Sequence, residues 1–575
     1  MLRLFLIVLI LPNFLFSQGN QLFTENDTIK YSHRTGGEGL DSLDMTFCSS
    51  VSTFSGGGLN NQNNIISTAF LFNHPGLQNF KNNSQFKKLV FSGTPHVGFS
   101  YAFGSKGIQF LHYDYQQAIS KKTLLNIEGL RNSSLGFLRN SKYTDNIVSV
   151  YLRKNDTFHS MLFESNYIVK NIAVNGGITN DALIESQGLE SLPVLKKDAK
   201  QVIKSANIKL SNYYNLLNDT LKSLGFTSKH QYEITSREYT EIDLVSNFNI
   251  NSSKTRDQYR LASIRNSFGV YTKTKGLFLD FLIQHRYWDY QNLGSHVDTS
   301  EINFTSLLEI NIKKSQLKNN FYFNIIGAGR EWSNTSNLSA SIKNIKIAGL
   351  LTVEQKWPDQ FQRFYYSNKY DYKLNNYQLQ NRLFSTITGK YDFSTSNFVQ
   401  ASFSNTILNN NYFFIDSTWR NDTLNTIVIN SFSLSGSVKL GLFTIQPRFC
   451  LNIPTNNFNY IPKTTINSRI FIKKKMFKAK KLECILGTDI AWISSYNLMA
   501  YNYTLDVFSV QNTNKQFNQL TNLSAFLGFT LGDFRMNVRM ENIGYFWNDK
   551  KNQVMEGFPI QKNFLRIGLT WDFFN

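Results

Sequence analysis

The feature that most constrains this chain is an alternation of apolar and polar side chains along unusually long runs. In residues 431–442 the even positions include Phe432, Leu434 and Val438, whereas the odd positions carry mainly serine. Because successive side chains on a strand point to opposite faces, such a run is a strand with one apolar face and one polar face. A strand of about 10–11 residues is long enough to cross a bilayer at a tilt near 45°, whereas a typical strand has about 5–6 residues.

The last 55 residues show the alternation most clearly. Residues 522–531 alternate with Phe526 as the one exception, Gly532 and Asp533 form a tight turn, and residues 534–541 follow with charges on one face. In the closing run, Leu565, Ile567, Leu569, Trp571 and Phe573 share a face opposite Arg566 and Asp572. This pattern predicts a hairpin and a closing strand, each with one polar side and one apolar side.

The N-terminus predicts export. Arg3 precedes the apolar run of residues 4–11, and the small residue Ser17 precedes a polar stretch, so residues 1–17 are expected to be a signal peptide that is cleaved near Ser17. After it, the sequence has no run of 18 apolar residues, which excludes a helical inner-membrane protein.

Two fold classes remain for an exported chain of long amphipathic strands. One is a soluble sandwich or propeller, in which the apolar face is a core. The other is an outer-membrane barrel, in which the apolar face meets lipid. The strand length, the signal peptide, the mid-strand charges and an aromatic content of 15% favour the barrel.

We therefore predict an all-β fold, a transmembrane antiparallel up-and-down β-barrel. Allowing roughly 25–30 residues per strand with its connection gives about 16–20 strands, and we expect 18. The predicted organisation is a signal peptide over 1–17, an N-terminal periplasmic or loop segment over 18–64, and the barrel over 65–575.

Two stretches of the sequence carry a family resemblance. The first is Asn175-Gly176-Gly177-Ile178 with Asn180-Asp181, followed by Leu192-Pro193-Val194 and Ala199; the second comprises the penultimate hairpin and the closing strand from Phe558 onward. From about residue 65 to the end, the chain resembles the "putative porin" family of the Bacteroidetes outer membrane. The resemblance implies a barrel channel of unassigned substrate, with no catalytic residues.

The sequence gives no support for catalytic or cofactor chemistry. Its three cysteines are far apart, its eight histidines show no zinc-binding spacing, and no nucleophile elbow of the Gly-x-Ser-x-Gly type is present. We expect no enzyme activity, no cofactor and no metal.

The net charge of +20 is spread along the chain, and this distribution argues against a nucleic-acid partner. The densest runs, residues 473–475 and 478–481, are expected between two strands, in a short basic turn or loop. A charge facing lipid at mid-depth costs about 2–4 kcal/mol, so charges on the spanning strands should face inward. The predicted pore-lining residues are Lys439, Arg448, Arg535, Arg539, Glu541 and Arg566.

The expected function is passive diffusion of small hydrophilic solutes across the outer membrane of a Gram-negative cell, with a mild preference for anions. Expected partners are outer-membrane lipid, these solutes, and the barrel-assembly machinery through the C-terminal strand. A secreted soluble adhesin or glycan-binding protein, and a non-conducting barrel involved in assembly or secretion, remain alternatives. A transporter coupled to TonB is disfavoured, because about 45 residues before the barrel are too few for a plug domain.

Overall fold

The computed structural model describes residues 94–574, apart from 219–221, 243–248, 251–252, 395, 416, 422–425, 456–457 and 511–514. The predicted signal peptide and N-terminal segment lie outside the described residues, as do residues 65–93 of the predicted barrel. No helix in the described part of the chain is long and apolar enough to span a membrane.

The described residues form one antiparallel sheet of 22 strands that closes on itself. The first eleven strands are β1 (His96–Gly104), β2 (Ile108–Ser120), β3 (Thr123–Ser134), β4 (Tyr143–Asn155), β5 (His159–Ala173), β6 (Lys200–Asn218), β7 (Lys222–Glu241), β8 (Thr255–Thr274), β9 (Leu277–Asn292), β10 (His296–Ile312) and β11 (Ser315–Ile326). The remaining eleven are β12 (Trp332–Ile342), β13 (Ile345–Lys356), β14 (Gln380–Asp392), β15 (Phe398–Asn409), β16 (Thr426–Leu440), β17 (Phe443–Pro454), β18 (Thr464–Met476), β19 (Leu482–Ile493), β20 (Leu520–Leu531), β21 (Phe534–Glu541) and β22 (Phe564–Phe574).

Each strand pairs with its neighbours in the chain, and β22 closes the barrel against β1. In this closing pair His96 lies opposite Phe574 and Gly104 lies opposite Arg566. The up-and-down antiparallel barrel is therefore as predicted, but the expected count of 18 strands, and the range of 16–20, are wrong. The estimate allowed too many residues per strand, because six of the hairpins have connections of only two residues, for example Lys313–Lys314 and Gly532–Asp533.

The two ends of the barrel differ in the length of their connections. The six two-residue turns all lie at one end, where β1 begins and β22 ends, whereas the three-residue connection Ser105–Gly107 lies at the opposite end. That opposite end carries the long connections 174–199, 357–379, 410–425, 494–519 and 542–563. We call the end with the two-residue turns the short-turn end.

The long connections contain short elements of their own. The helices are one α-helical turn, Gln360–Arg363, and the 3₁₀ turns Asp181–Ile184, Leu189–Ser191 and Ile543–Phe546. The short strands are Phe364–Tyr366, Asp371–Lys373, Phe413–Ile415, Thr418–Arg420, Tyr496–Asn497, Ala500–Asn502, Val507–Ser509, Gln516–Phe517, Gln553–Met555 and Phe558–Pro559.

The two faces of the wall have the chemistry that the alternation predicts. On β22, Trp571 and Phe573 are 48% and 37% exposed on the outside, whereas Arg566 and Asp572 are 3% and 6% exposed. Lysines 473–475, expected between strands, instead form the end of β18, and Lys478, Lys480 and Lys481 lie in the turn that follows. Apolar side chains therefore cover the outside of the barrel, and the buried cores form elsewhere, mainly among the long connections.

Candidate functional site: the lumen and its loop cap

The inner wall carries a charge network on the last strands of the barrel. Arg539 on β21 donates to Glu541 Oε1 at 2.8 Å and to Asp489 Oδ2 of β19 at 2.6 Å. Arg566 on β22 donates to the same Glu541 Oε1 at 2.8 Å. Charge-assisted hydrogen bonds of this length are strong, so β19, β21 and β22 share one inward-facing polar surface.

The exception in the alternation has a place in this network. Phe526 points inward and is buried, and its ring lies 5.4 Å from the Arg469 guanidinium and 5.6 Å from that of Arg539. Arg469 in turn binds Asp489 through two hydrogen bonds of 2.7 and 3.0 Å. An aromatic face between two guanidinium groups provides cation–π contacts that hold the arginines in fixed positions.

The six predicted pore-lining residues fall into two groups. Arg539, Glu541 and Arg566 lie together in the buried network, and Arg535 lies 3.4 Å from Asp572 on the same part of the wall. Lys439 and Arg448 are exposed, away from that network on β16 and β17, and neither makes an ion pair with any described residue. Contact between these side chains and a solute stays a prediction.

The long connections fold together over the other end of the barrel. We call the described residues of 135–142, 174–199, 357–379, 410–425, 494–519 and 542–563 the cap. Two of these connections share a small sheet, in which Phe414 pairs with Ser509 and Thr418–Arg420 and Ala500–Asn502 form the edges. The Ser509 hydroxyl also donates to the Phe414 carbonyl at 3.0 Å.

The connection 494–519 reaches across the barrel mouth. It leaves β19 and returns to β20, yet the Tyr503 carbonyl accepts a hydrogen bond of 3.1 Å from Arg237 on β7. Because β7 lies nine strands from β20 in a ring of 22, this connection spans nearly the full width of the mouth. Arg237 is 2% exposed and also donates a hydrogen bond to Gln201 Oε1 at 2.9 Å. The barrel wall therefore fixes the guanidinium group that binds the Tyr503 carbonyl.

The cap has apolar cores of its own. One core joins Phe361, Tyr365 and Tyr372 of one connection to Phe414 of another and to Leu505 and Val507 of a third, against wall residues of β8 and β9. A second core joins Ile178, Leu192 and Val194 to Phe558. Burial of several aromatic side chains stabilises the cap in its closed arrangement, because each one removes a large apolar surface from water.

A buried ion cluster fixes two of the connections to the wall. Glu241, at the cap end of β7, accepts hydrogen bonds from Lys196 and from Lys369, the latter at 2.7 Å, and from the Tyr239 hydroxyl at 2.7 Å. Glu241 is 1% exposed and Lys196 is 3% exposed. We call Lys196, Glu241 and Lys369 the latch. Removing one member of such a cluster leaves a buried charge without its partner.

Sequence reasoning missed the latch, because nothing in the local pattern distinguishes Lys196 or Lys369 from surface lysines. It did identify the segment 175–199, but on resemblance alone. There Gly177 has φ +90° and lies against Gly557, with a hydrogen bond of 2.8 Å from Ile178 N to the Gly557 carbonyl. The two glycines therefore let two cap connections cross backbone to backbone.

Electrostatics in the cap favour uncharged tyrosine. Burial, and then the neighbouring Asp506 carboxylate, raise the pKa of Tyr501 well above its usual value of 10.0. Burial also raises the pKa of Tyr370. No group of three or more potential metal ligands occurs among residues 94–574 where these are described.

Comparison with known proteins agrees with this architecture. The family model described as "Putative porin" matches residues 44–575. Similar solved structures include the siderophore receptor PirA from Acinetobacter baumannii, at 9% identity and a TM-score of 0.59, covering 84% of this chain and 81% of that one. The FrpB iron transporter from Neisseria meningitidis is similar at 9% identity and a TM-score of 0.57, covering 84% and 83%.

These structural similarities, at such low identity, establish the fold alone. No curated protein matches the chain. The match of the family model over most of the sequence, together with the closed antiparallel barrel, establishes the family: the chain belongs to the family described as "Putative porin", whose barrel type indicates an outer-membrane location.

Proposed function

We propose that the protein is an outer-membrane channel through which small hydrophilic solutes diffuse passively when the cap opens. The observation that carries the proposal is a polar, charged inner wall with one mouth covered by loops, as far as the structure describes the chain. Those loops are held by hydrogen bonds, ion pairs and apolar contacts, which can open without disturbing the wall. Such a channel needs no catalytic chemistry.

A mild preference for anions is part of this proposal. Arg448 and Lys439 are exposed and occupy strand positions whose side chains face the inside of the barrel. Neither has a carboxylate partner among the described residues. By contrast, Arg539 and Arg566 are largely neutralised by Glu541 and Asp489. Uncompensated positive charge in a pore raises the local concentration of anions and so favours their passage.

The test is conductance of the purified protein in planar bilayers. We expect rare openings for the native protein and frequent ones for a variant in which the latch is broken. In a potassium chloride gradient, the reversal potential should indicate chloride preference, and R448Q together with K439Q should reduce it. A cation-selective channel would contradict the anion preference, and absence of conductance in both proteins would contradict the channel.

A second candidate is a transporter that binds its substrate, and the strand count favours it. Barrels of 22 strands are typical of outer-membrane transporters with a plugged lumen, whereas porins commonly have 16–18 strands. The similar structures include a siderophore receptor and an iron transporter. Under this candidate, a latch variant would remain non-conducting while the native protein bound a ferric siderophore with measurable affinity.

The closing strand supports a proposal about assembly. Since β22 pairs with both β21 and β1, it is the last element needed to close the barrel. We propose that the barrel-assembly machinery recognises this strand through its exposed aromatic residues, Trp571 and Phe573. W571S together with F573S should then lower the amount of heat-modifiable barrel in the outer membrane, whereas F432S on β16 should leave it largely unchanged.

A further inference from the structure

Lysine is concentrated at the short-turn end of the barrel. Four of the two-residue turns there begin with lysine, at Lys121, Lys275, Lys313 and Lys343. The end of β18 and the turn after it add further exposed lysines. We call Lys313, Lys314, Lys343, Lys474, Lys478 and Lys480 the lysine collar; all six are exposed, and none makes an ion pair with a described residue.

Three collar lysines occupy a backbone conformation that lysine rarely adopts. Lys313, Lys343 and Lys480 have φ of 51°, 51° and 50°, in the left-handed region. Glycine adopts this region without the steric conflict that a Cβ creates, and Gly441 and Gly532 do so in two other turns at the same end. Lysine therefore occupies positions at which glycine would avoid this steric conflict. Its presence there indicates that the lysine side chain has a role.

The apolar neighbours of the collar fix its depth in the membrane. Ile312, Ile342 and Phe477 directly precede Lys313, Lys343 and Lys478, and they are 64%, 64% and 74% exposed. On a membrane barrel, exposed apolar side chains of the wall contact hydrocarbon. The adjacent ammonium groups, on flexible stems, then reach the level of the lipid head groups.

The identity of the leaflet follows from the topology. Both β1 and β22 have their free ends at the short-turn end, which is the periplasmic side of an outer-membrane barrel. The inner leaflet of an outer membrane consists of phospholipid. We propose that the lysine collar binds the phosphate groups of anionic phospholipids in this leaflet. The proposal depends on the orientation of the barrel and not on the solute that it transports.

The height of the collar favours lipid over an acidic periplasmic protein. A protein-binding surface would extend beyond the head groups into the periplasm, whereas these lysines are one or two residues from lipid-facing side chains. Lysine close to an anionic membrane surface is attracted to it, and this attraction falls off within a Debye length. Each collar lysine lies close to this surface, because it is in a two- to five-residue turn or at the adjacent strand end.

The test measures lipid selectivity around the full-length protein in vesicles of phosphatidylcholine. Trace spin-labelled phosphatidylglycerol or phosphatidylcholine reports the fraction of lipid immobilised at the protein surface. We expect the native protein to favour phosphatidylglycerol by at least about threefold, and about 0.5 M salt to weaken this preference. A variant with glutamine at all six collar positions should lose it.

The matched control replaces six exposed lysines at the opposite end of the barrel by glutamine, namely Lys142, Lys197, Lys254, Lys373, Lys463 and Lys550. This variant has the same net charge as the collar variant and should retain the preference. Absence of lipid preference in the native protein, or an equal loss in both variants, would overturn the proposal. If the collar variant fails to insert into vesicles, the variants K343N and K313N replace it, because asparagine tolerates the left-handed backbone conformation. The loss of lipid preference expected for them is smaller.

Discussion

The latch offers the sharpest test of how the barrel mouth is kept closed. Glu241→Gln replaces a carboxylate that contacts two ammonium groups and a tyrosine hydroxyl, and whose side chain is inaccessible to solvent. Lys196, with a side chain that is 4% exposed, would then be buried beside a neutral amide. Removing one partner of a buried ion pair costs about 3–5 kcal/mol, because the remaining charge loses its compensation without regaining water.

This cost applies to the closed cap and not to the barrel wall. When the cap opens, Lys196 and Lys369 regain solvent, so the closed state alone is penalised. At about 1.4 kcal/mol for each factor of ten, this cost should raise the ratio of open to closed states by about 10² to 4 × 10³. Open probability in planar bilayers measures this ratio directly, and heat-modifiable gel mobility verifies that the wall is intact.

Two controls make the test specific. Glu238→Gln changes a carboxylate on the same strand whose partner, Arg256 at 3.1 Å, is mostly exposed. Such surface pairs contribute about 0–1 kcal/mol, so this variant should gate like the native protein. The triple variant K196M, E241L and K369M removes every charge of the latch and should restore closure, since apolar replacement of a buried ion cluster is often neutral or stabilising. An unchanged open probability in E241Q would refute the reasoning.

Three further predictions concern the wall and the cap. Phe432→Arg places a charge on the lipid face and should lower the free energy of unfolding in vesicles by about 2–4 kcal/mol, whereas Ser433→Arg, on the lumen face, should cost less in the same urea titration. Gly177→Ala adds a Cβ about 3.0 Å from the Gly557 carbonyl oxygen at φ +90°, and should increase channel opening without changing heat-modifiable mobility. Because the raised pKa of Tyr501 keeps it protonated in the closed cap, the closed state binds more protons than the open state above pH 10. Open probability in planar bilayers should therefore increase from that pH upward, and Tyr501→Phe should weaken this increase.

Much of the wall could be predicted from local sequence. The turn at Gly532 and the closing strand were located to within a residue or two, because a strand with lipid on one side and a polar lumen on the other must alternate at every step. The number of strands could not be predicted from local sequence in the same way. It depends on how residues divide between strands and connections, and hairpins as short as Lys313–Lys314 leave no composition change by which to count them.

The sequence by itself determined that the wall is an antiparallel β-barrel with apolar side chains on the outside and charges on the inside, since the period of a strand is a local property of the chain. Only the tertiary structure decided that the mouth is covered. Lys196, Glu241 and Lys369 come from three separate segments, and Tyr503 meets Arg237 across the width of the barrel. Such contacts between distant segments exist only after the ring closes, because closure alone brings opposite sides of the wall within reach of one loop.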